Sequence, residues 1–381
     1  MDTHRRTLLG AAAATGLGLF LTTPARSQGK TGVRKIVMGQ SVPQTGAAAE
    51  IGLAFAAGAK LYVDSFNERK PSPGFTLELR QLDDGYDPAR ATANAKKLLA
   101  DGADVLFGFV GTASDEAGAA VAKTNDVVFF APFAASDDLR SAAHPDVFHV
   151  RPSMADEALK MVRHSSTLGQ TRMAVVAEDD AMGRAGLAAV NQALVDLKLP
   201  PLTASAFIPV NSNKVEAAVA ALMKVQPQVI IQVSLFNSTA AFIRRMRKAG
   251  YGGSFMTFSV VGIDPLFTAL GKEIGGIVIT QVVPSPKRTA IPIVKEYLAA
   301  IDNSDQAPTY ESLEGFIAAK TFAEAVRRAG KGFDKARMVA VMSEMTDYDV
   351  GGFRINLRAG VRDSVRAIDL VTITPDGKIV R

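Results

Sequence analysis

The chain lacks cysteine altogether and has only four histidines among its 381 residues. Without a thiol, cysteine catalysis, cysteine-ligated zinc, iron–sulfur clusters and disulfides are all excluded. Four histidines leave little room for a metalloenzyme. His144 and His149 lie around an extended segment, where a shared metal is not expected. We therefore predict neither a metal nor a cofactor.

The chain also has little net charge of either sign. Its 43 basic and 38 acidic residues give a formal charge of +5, spread along the sequence without a basic stripe. Binding to a nucleic-acid backbone needs such a stripe, so no nucleic-acid partner is predicted. Hydrophobic residues make up 48% of the chain and are mixed with charged ones, which excludes a disordered or collagen-like protein. The length allows two globular domains.

Catalytic motifs are missing as well. The first loop after a predicted strand, residues 39–46, has neither the glycine spacing of dinucleotide-binding proteins nor that of P-loop NTPases. No other loop has it, and the serine-elbow and zinc-protease motifs do not occur. Ser-x-x-Lys is found at residues 27–30, at the end of the predicted signal. The sequence thus predicts a protein that is not an enzyme.

Residues 1–27 are interpreted as a cleaved export signal. Arg5 and Arg6 precede an uncharged stretch over residues 7–23, and the small residues Ala25 and Ser27 suit a signal peptidase. The stretch is short and rich in glycine and alanine for a membrane span. The arginine pair is typical of a twin-arginine signal, with the general secretory route and an uncleaved anchor as alternatives. A periplasmic location follows from this interpretation.

From Arg34 onward, short apolar runs alternate with alanine-rich amphipathic segments, the pattern of βαβ units. One array covers residues 34–150 and a second covers 151–283. Residues 285–348 are mostly helical and are assigned to the first lobe. Residues 353–381, with strands predicted near 353–356 and 366–373 that complete the sheets, are assigned to the second. The predicted fold class is α/β: two doubly wound parallel-sheet lobes joined by a hinge of three chain crossings, with a cleft between them.

Polar and aromatic residues follow several predicted strands. In the loop from Gly108 to Ser114, backbone N–H groups and the hydroxyls of Thr112 and Ser114 could converge on a small anion such as a carboxylate. An ordinary helix cap at Ser114 explains the loop equally well. Phe133 and Phe236 also lie just past strand ends, where they either plug the sheet edge or stack on a ligand.

Acidic residues follow two of the strands. Asp83, Asp84 and Asp87 are interpreted as turn and cap residues, with a divalent cation site as the alternative. Glu178, Asp179 and Asp180 could cap the next helix or meet a cationic group of a ligand. The second possibility stays open because open α/β sheets bind ligands at the carboxyl ends of their strands.

These loops, in this order and spacing, resemble those of the type I periplasmic substrate-binding proteins of ABC transporters, the leucine/isoleucine/valine-binding family. The matching stretches are residues 39–46, 82–88, 107–112, 129–133, 148–151, 178–183 and 250–253. The resemblance covers essentially the whole chain after the signal. It implies two α/β lobes that close on a small ligand and present the closed form to a membrane permease.

The resemblance also implies a ligand site. The family's carboxylate-binding loop falls on residues 112–114, and the second loop of the same lobe falls on residues 133–136. Amino-acid binders carry an acidic residue near Ser259 for the ligand's ammonium, and this chain has none there. Either Asp179 or Asp180 supplies the charge, or the ligand is not an α-amino acid. The predicted ligand-binding residues are Thr112, Ala113, Ser114, Phe133, Ala134, Ser136, Met182, Phe236 and Ser259.

The sequence therefore predicts a monomeric periplasmic receptor that binds a small carboxylate-bearing ligand and delivers it to the permease of an ABC importer. The ligand is a branched-chain or other amino acid, or a related organic or aromatic acid or amide. A ligand-sensing module of the same fold, serving a membrane sensor or regulator, is the alternative. An exported enzyme is a more distant one.

Overall fold

The computed structural model describes residues 33–69, 74–133, 137–302, 304–330, 333–357 and 368–380. The predicted signal segment and two predicted ligand-binding residues, Ala134 and Ser136, lie outside the described residues. Among the helices of the described ranges, none has the length and apolar character needed to cross a bilayer.

The first sheet has five parallel strands in the order β2-β1-β3-β4-β5. Strands β3, β4 and β5 are apolar and buried throughout, as expected of parallel strands covered on both faces, whereas the edge strand β2 carries polar residues and is mostly half-buried. The sheet order reverses between β1 and β3, which opens a crevice at the carboxyl ends of these strands. The elements are β1 (Arg34–Val42), α1 (Ala49–Glu68), β2 (Phe75–Asp83), α2 (Pro88–Ala100), β3 (Val105–Phe107), α3 (Thr112–Thr124), β4 (Phe129–Phe130) and β5 (Val147–Phe148).

The second sheet is built around five parallel strands and ends in an antiparallel edge. The parallel part comprises β6 (Met173–Glu178), β7 (Ala204–Ile208), β8 (Val229–Val233), β9 (Ser254–Thr257) and β10 (Ile277–Gln281). The helices that accompany them are α4 (Met154–Thr167), α5 (Ala181–Asp196), α6 (Glu216–Val225), α7 (Phe236–Lys248) and α8 (Ile263–Leu270).

Three helices follow: α9 (Pro292–Ile301), α10 (Tyr310–Ala329) and α11 (Lys335–Glu344). Helix α10 lies against α1 with glycines at the contact. A Cβ atom on Gly58 would meet the carbonyl oxygen of Ser312 at 1.8 Å, and one on Gly315 would meet that of Phe55 at 2.0 Å. The two helix backbones therefore touch directly, and this holds α10 on the first sheet.

Four short strands end the chain: β11 (Tyr348–Asp349), β12 (Arg354–Ile355), β13 (Asp369–Ile373) and β14 (Ile379–Val380). The last two extend the second sheet, giving the order β14-β13-β10-β9-β8-β6-β7.

The strand predicted near residues 353–356 completes neither main sheet. Instead β12 pairs with β11 in a separate antiparallel ribbon. Gly351 and Gly352, at φ of 124° and 78°, turn the chain back between the two strands, and their N–H groups donate to the Asp349 carboxylate. A glycine pair of this kind favours a local hairpin over a distant sheet partner.

The chain passes from the first sheet to the second after β5, and after β10 it returns to the helices packed on the first sheet. The predicted fold class, α/β with two parallel-sheet lobes, is confirmed.

Candidate ligand-binding cleft

The carboxyl ends of both sheets face one apolar cavity. Helix starts and strand-end loops of the first sheet form one wall, and the corresponding segments of the second sheet form the other. Its lining residues are Ala48, Ile51, Tyr86, Val110, Gly111, Thr112, Phe133, Met154, Met182, Leu235 and Val260. We call this the inner cavity. The position fits the rule that open α/β sheets bind ligands at a topological switch point.

An adjoining outer compartment lies between the N-termini of α3 and α5. It shares Tyr86, Gly111, Thr112 and Met182 with the inner cavity and adds more polar groups. Its other lining residues are Pro88, Ala113, Ser114, Asp180, Ala181 and Val210.

The N-terminus of α3 presents unsatisfied backbone donors at the junction of the two compartments. Gly111, at φ 112°, precedes the helix, and no side chain caps it. The first hydrogen bond of the helix runs from the Asp115 N–H to the Gly111 carbonyl at 2.8 Å. The N–H groups of residues 112–114 therefore have no acceptor within the helix. The alternative interpretation of Ser114 as the helix cap does not hold, because the helix begins at Thr112 and Ser114 lies in its first turn.

Thr112 carries a buried hydroxyl at the same place. The residue is 2% exposed, and its Oγ1 has no hydrogen-bond partner within the described part of the chain. Buried polar atoms are nearly always paired, since an unpaired one costs about 1–3 kcal/mol. An unpaired hydroxyl beside free N–H groups suits an anionic acceptor.

The two predicted partners of a ligand ammonium lie in different surroundings. Asp180 lines the outer compartment, and its Oδ1 accepts the Gly183 N–H at 2.7 Å, which caps α5. Burial raises the pKa of Asp180 above its ordinary value. Asp179 is exposed and pairs with Arg184 at 2.5 Å, outside both compartments. The structure thus brings only Asp180 to the cleft.

Burial also raises the pKa of Tyr86 well above its ordinary value, and the charge of nearby Asp180 raises it further. The Tyr86 backbone is held by Asp84, which accepts the Tyr86 N–H at 2.9 Å and the Ser41 hydroxyl at 2.7 Å. Tyr86 is therefore a neutral part of the cavity wall.

Met182 and Leu235 form the opposite wall. Gly183 allows α5 to begin directly against β6, since a Cβ there would meet the Glu178 carbonyl oxygen at 1.8 Å, and this places Met182 over the cavity. Of the residues after β8, the structure puts Leu235 in the wall, while the predicted Phe236 begins α7 and stays outside it. The residue that lines the cavity is thus one position earlier in the chain than the predicted one.

Ser259 does not face the cavity. It begins a short 3₁₀ turn in which the next residue, Val260, contributes to the wall. The Ser259 hydroxyl donates to Glu157 at 3.1 Å and accepts from Arg151 at 2.5 Å. Ser259 is thus part of a neighbouring group of buried charges.

That group, which we call the hinge cluster, comprises Arg151, Glu157, Ser259, Thr280 and Glu314. Arg151 lies where the chain first crosses between the sheets. Its guanidinium donates to the Phe133 carbonyl at 2.6 Å, lies 4.3 Å from the centre of the Phe133 ring, and is 3.6 Å from a carboxylate oxygen of each glutamate. Arg151 ends one of the stretches that carry the family resemblance, residues 148–151, but the sequence assigned it no role.

Glu157 is the most enclosed member of the hinge cluster. Its carboxylate accepts the Ser259 N–H at 2.8 Å and the Thr280 hydroxyl, and the residue is 0% exposed. Glu314 reaches Arg151 from α10, on the first sheet. Burial raises the pKa of Glu314 to about 7, although Arg151 opposes the rise. The hinge cluster therefore links side chains of both sheets.

The acidic residues after β2 have a structural role. Asp83 accepts N–H groups of Gln44, Thr45 and Gly85, and Asp87 caps α2 through the Ala89 N–H at 2.7 Å. The interpretation as turn and cap residues accounts for these contacts. Over the described ranges, no three histidine or acidic side chains come together as a metal site would require.

Comparisons with known proteins agree on one family. The sequence profile described as "Periplasmic binding protein" matches residues 35–378. A Leu/Ile/Val-binding protein homolog 8 of Brucella abortus is 22% identical over 360 residues, covering 89% of this chain and 86% of its own.

Two solved structures are similar over nearly the whole chain. One is a possible leucine/isoleucine/valine-binding protein of Rhodopirellula baltica, with a TM-score of 0.85, 26% identity, and coverage of 92% of this chain and 97% of the other. The second is a substrate-binding periplasmic protein of Ralstonia solanacearum, with a TM-score of 0.83, 29% identity, and coverage of 91% and 99%.

Proposed function

From the premise that this chain belongs to the periplasmic binding protein family and has its type I fold, we propose that it is the solute-binding receptor of an ABC importer. Its ligand is a small molecule that bears a carboxylate. The observation that carries the proposal is the buried, unpaired hydroxyl of Thr112 beside the free N–H groups of α3, at the mouth of a cavity lined from both sheets.

Binding takes place by closure of two lobes. Residues 34–150 with 285–348 form one lobe, and residues 151–283 with 353–381 form the other. The ligand's carboxylate meets the first turn of α3, and its apolar body contacts Phe133 on one lobe and Met182 and Leu235 on the other. Because the bound ligand touches both lobes, it favours the closed state over the open one. The protein binds and releases its ligand without altering it.

The remaining parts of the proposal concern location and partners. Residues 1–27 direct export and are removed, and the mature protein acts as a monomer in the periplasm. The closed form docks on a permease in the inner membrane. The names of the relatives, which refer to binding of leucine, isoleucine and valine, support a binding role of this kind.

The test combines binding with uptake. The protein from residue 28 onward is screened against amino acids, aliphatic and aromatic acids and amides. A ligand should raise its melting temperature and reduce its radius of gyration in X-ray scattering, because a molecule that binds only the folded, closed state stabilises it. A strain that lacks the protein should lose uptake of that ligand, and Thr112→Val should restore uptake poorly.

Three outcomes would contradict the proposal. Chemical turnover of the bound molecule would indicate an enzyme. Unchanged uptake together with a lost cellular response would indicate a sensory module. Equal restoration of uptake by Thr112→Val and the unaltered protein would remove the α3 site from the mechanism.

A further inference from the structure

We infer that the ligand is an apolar monocarboxylate without an ammonium group. The inference rests on the proposed function and specifies the ligand class of that same cleft. It follows from two features of the inner cavity: the hydrogen-bond donors at its polar end, and the lack of an acidic side chain among the described residues that line it.

The polar end is suited to one anionic group. It offers the Thr112 hydroxyl, buried and unpaired, and the N–H groups of residues 112–114, which have no acceptor in α3. The positive end of the helix dipole points at the same place. These donors match the oxygens of one carboxylate.

The rest of the inner cavity is apolar. Apart from Tyr86, whose phenol is kept neutral by burial, and the Gly111–Thr112 end, every lining side chain is aliphatic, aromatic or a thioether. No acidic side chain is among the described residues that line it.

Three carboxylates that accept protein donors lie behind the walls and are not among the residues that line the inner cavity. Glu157 accepts the Ser259 backbone N–H and the Thr280 hydroxyl. Glu178 accepts the Asn211 N–H at 2.9 Å through Oε1, while its buried Oε2 has no partner among the described residues and burial raises its pKa to about 7. Asp84 accepts Ser41 and Tyr86. An ammonium group in the inner cavity would therefore be buried without a counter-charge, which is strongly unfavourable.

Among the described residues that line the two compartments, Asp180 is the acidic one. The sign of its effect on affinity distinguishes an amino-acid ligand from a ligand with a carboxylate alone. It lines the outer compartment together with Thr112 and Ser114. Beside an ammonium its charge would strengthen binding. Beside a lone carboxylate its charge repels the ligand, so its removal should strengthen binding. Asparagine can replace aspartate as a helix cap, which makes Asp180→Asn a mild substitution for the fold.

The experiment uses pairs of ligands that differ only in the amino group. Isothermal titration of the protein from residue 28 onward compares isocaproate with L-leucine and hydrocinnamate with L-phenylalanine. Isocaproamide tests the need for the negative charge. In at least one pair the acid should bind at least about tenfold more tightly than the amino acid, and the amide should bind at least about tenfold more weakly than its acid.

Two variants complete the test. Thr112→Val should weaken binding of the acid about tenfold, because it removes a donor to a charged group. Asp180→Asn should strengthen acid binding about two- to fivefold at pH 8 and low salt, where the aspartate is ionised and screening is weak. The melting temperatures of both variants without ligand show whether they fold as the unaltered protein does.

Tighter binding of an L-amino acid than of its matched acid, with loss of that binding in Asp180→Asn, would overturn the inference and leave the receptor function intact. Tight acid binding without any role in uptake would leave the inference standing and overturn the proposed function. Absence of binding to every member of the panel would overturn the inference and remove the binding evidence on which the receptor function depends.

Discussion

The inner cavity and the hinge cluster are neighbouring buried regions that differ in how their polar groups are partnered. Phe133 belongs to both, because one part of it lines the cavity while its ring lies under the Arg151 guanidinium. Thr280, in the hinge cluster, donates its buried hydroxyl to Glu157. Thr112, in the cavity, has a buried hydroxyl without a partner among the described residues. Even the Arg151 Nε, which makes no hydrogen bond within the described residues, lies 3.6 Å from a Glu314 carboxylate oxygen. The hinge cluster thus sets its donors against acidic side chains of the chain itself, whereas no such group meets the Thr112 hydroxyl among the described residues.

The largest effect should follow from breaking the hinge cluster. Arg151→Met leaves Glu157 buried without its cation and should lower the free energy of unfolding by about 3–5 kcal/mol. Urea denaturation at pH 8 measures the loss.

Arg184→Met is the matched control, since Arg184 pairs with Asp179 at an exposed site and should cost less than about 1 kcal/mol. Similar losses in the two variants would show that the hinge cluster contributes no more than a surface pair.

The next effect concerns pH. Burial raises the pKa of Glu314 in the folded protein to about 7, above its ordinary value of 4.5, so the folded state holds a proton that the unfolded state has lost. The stability that Glu314 contributes is complete below pH 4.5 and is lost as the pH rises through about 7, a change of about 3 kcal/mol. Burial raises the pKa of Glu311 to about 7 as well, which acts in the same direction.

Glu314→Gln should therefore flatten the fall in unfolding free energy between pH 4.5 and pH 8, as measured by denaturation at several pH values. The groups around Glu314 that also carry charge are Arg151, Glu311, Glu157 and Arg140. An unchanged slope in this variant would mean that Glu314 is ionised in the folded state throughout this range.

A pair of threonine substitutions compares the two regions directly. Thr280→Val removes a hydrogen bond to a buried carboxylate and should lower stability by about 1.5–3 kcal/mol without changing ligand affinity. Thr112→Val removes an unpaired hydroxyl and should leave stability within about 0.5 kcal/mol while weakening affinity. Thermal denaturation and titration on both variants would contradict the comparison if the two effects were exchanged.

The smallest effects should come from changing Phe133, which belongs to both the inner cavity and the hinge cluster. Phe133→Leu keeps an apolar wall but removes the ring under Arg151, which should cost about 1 kcal/mol of stability and a few-fold in affinity. A loss in only one of the two measurements would show that Phe133 belongs functionally to one region.

The sequence was sufficient to predict the fold because alternating strand and helix patterns are local. The sequence could also indicate the loop at residues 108–114 as a candidate binding loop, since such sheets bind ligands at the carboxyl ends of their parallel strands. The hinge cluster could not be predicted, because Arg151, Thr280 and Glu314 come from distant parts of the chain and meet only after both sheets have formed. Leu235 and Val260 line the cavity, whereas their neighbours Phe236 and Ser259 do not, since a single step along a turn exchanges the side chain that faces it.

The backbone contact between α1 and α10 has a consequence for the order of folding. Phe55 and Tyr62 of α1 pack beneath a helix that the ribosome makes almost last, and the Tyr62 and Phe316 rings meet edge to face at 5.1 Å. All five parallel strands of the second sheet are synthesised before that helix appears. The first sheet, although begun first, keeps an uncovered apolar face until residue 329 has emerged, and is therefore finished after most of the second.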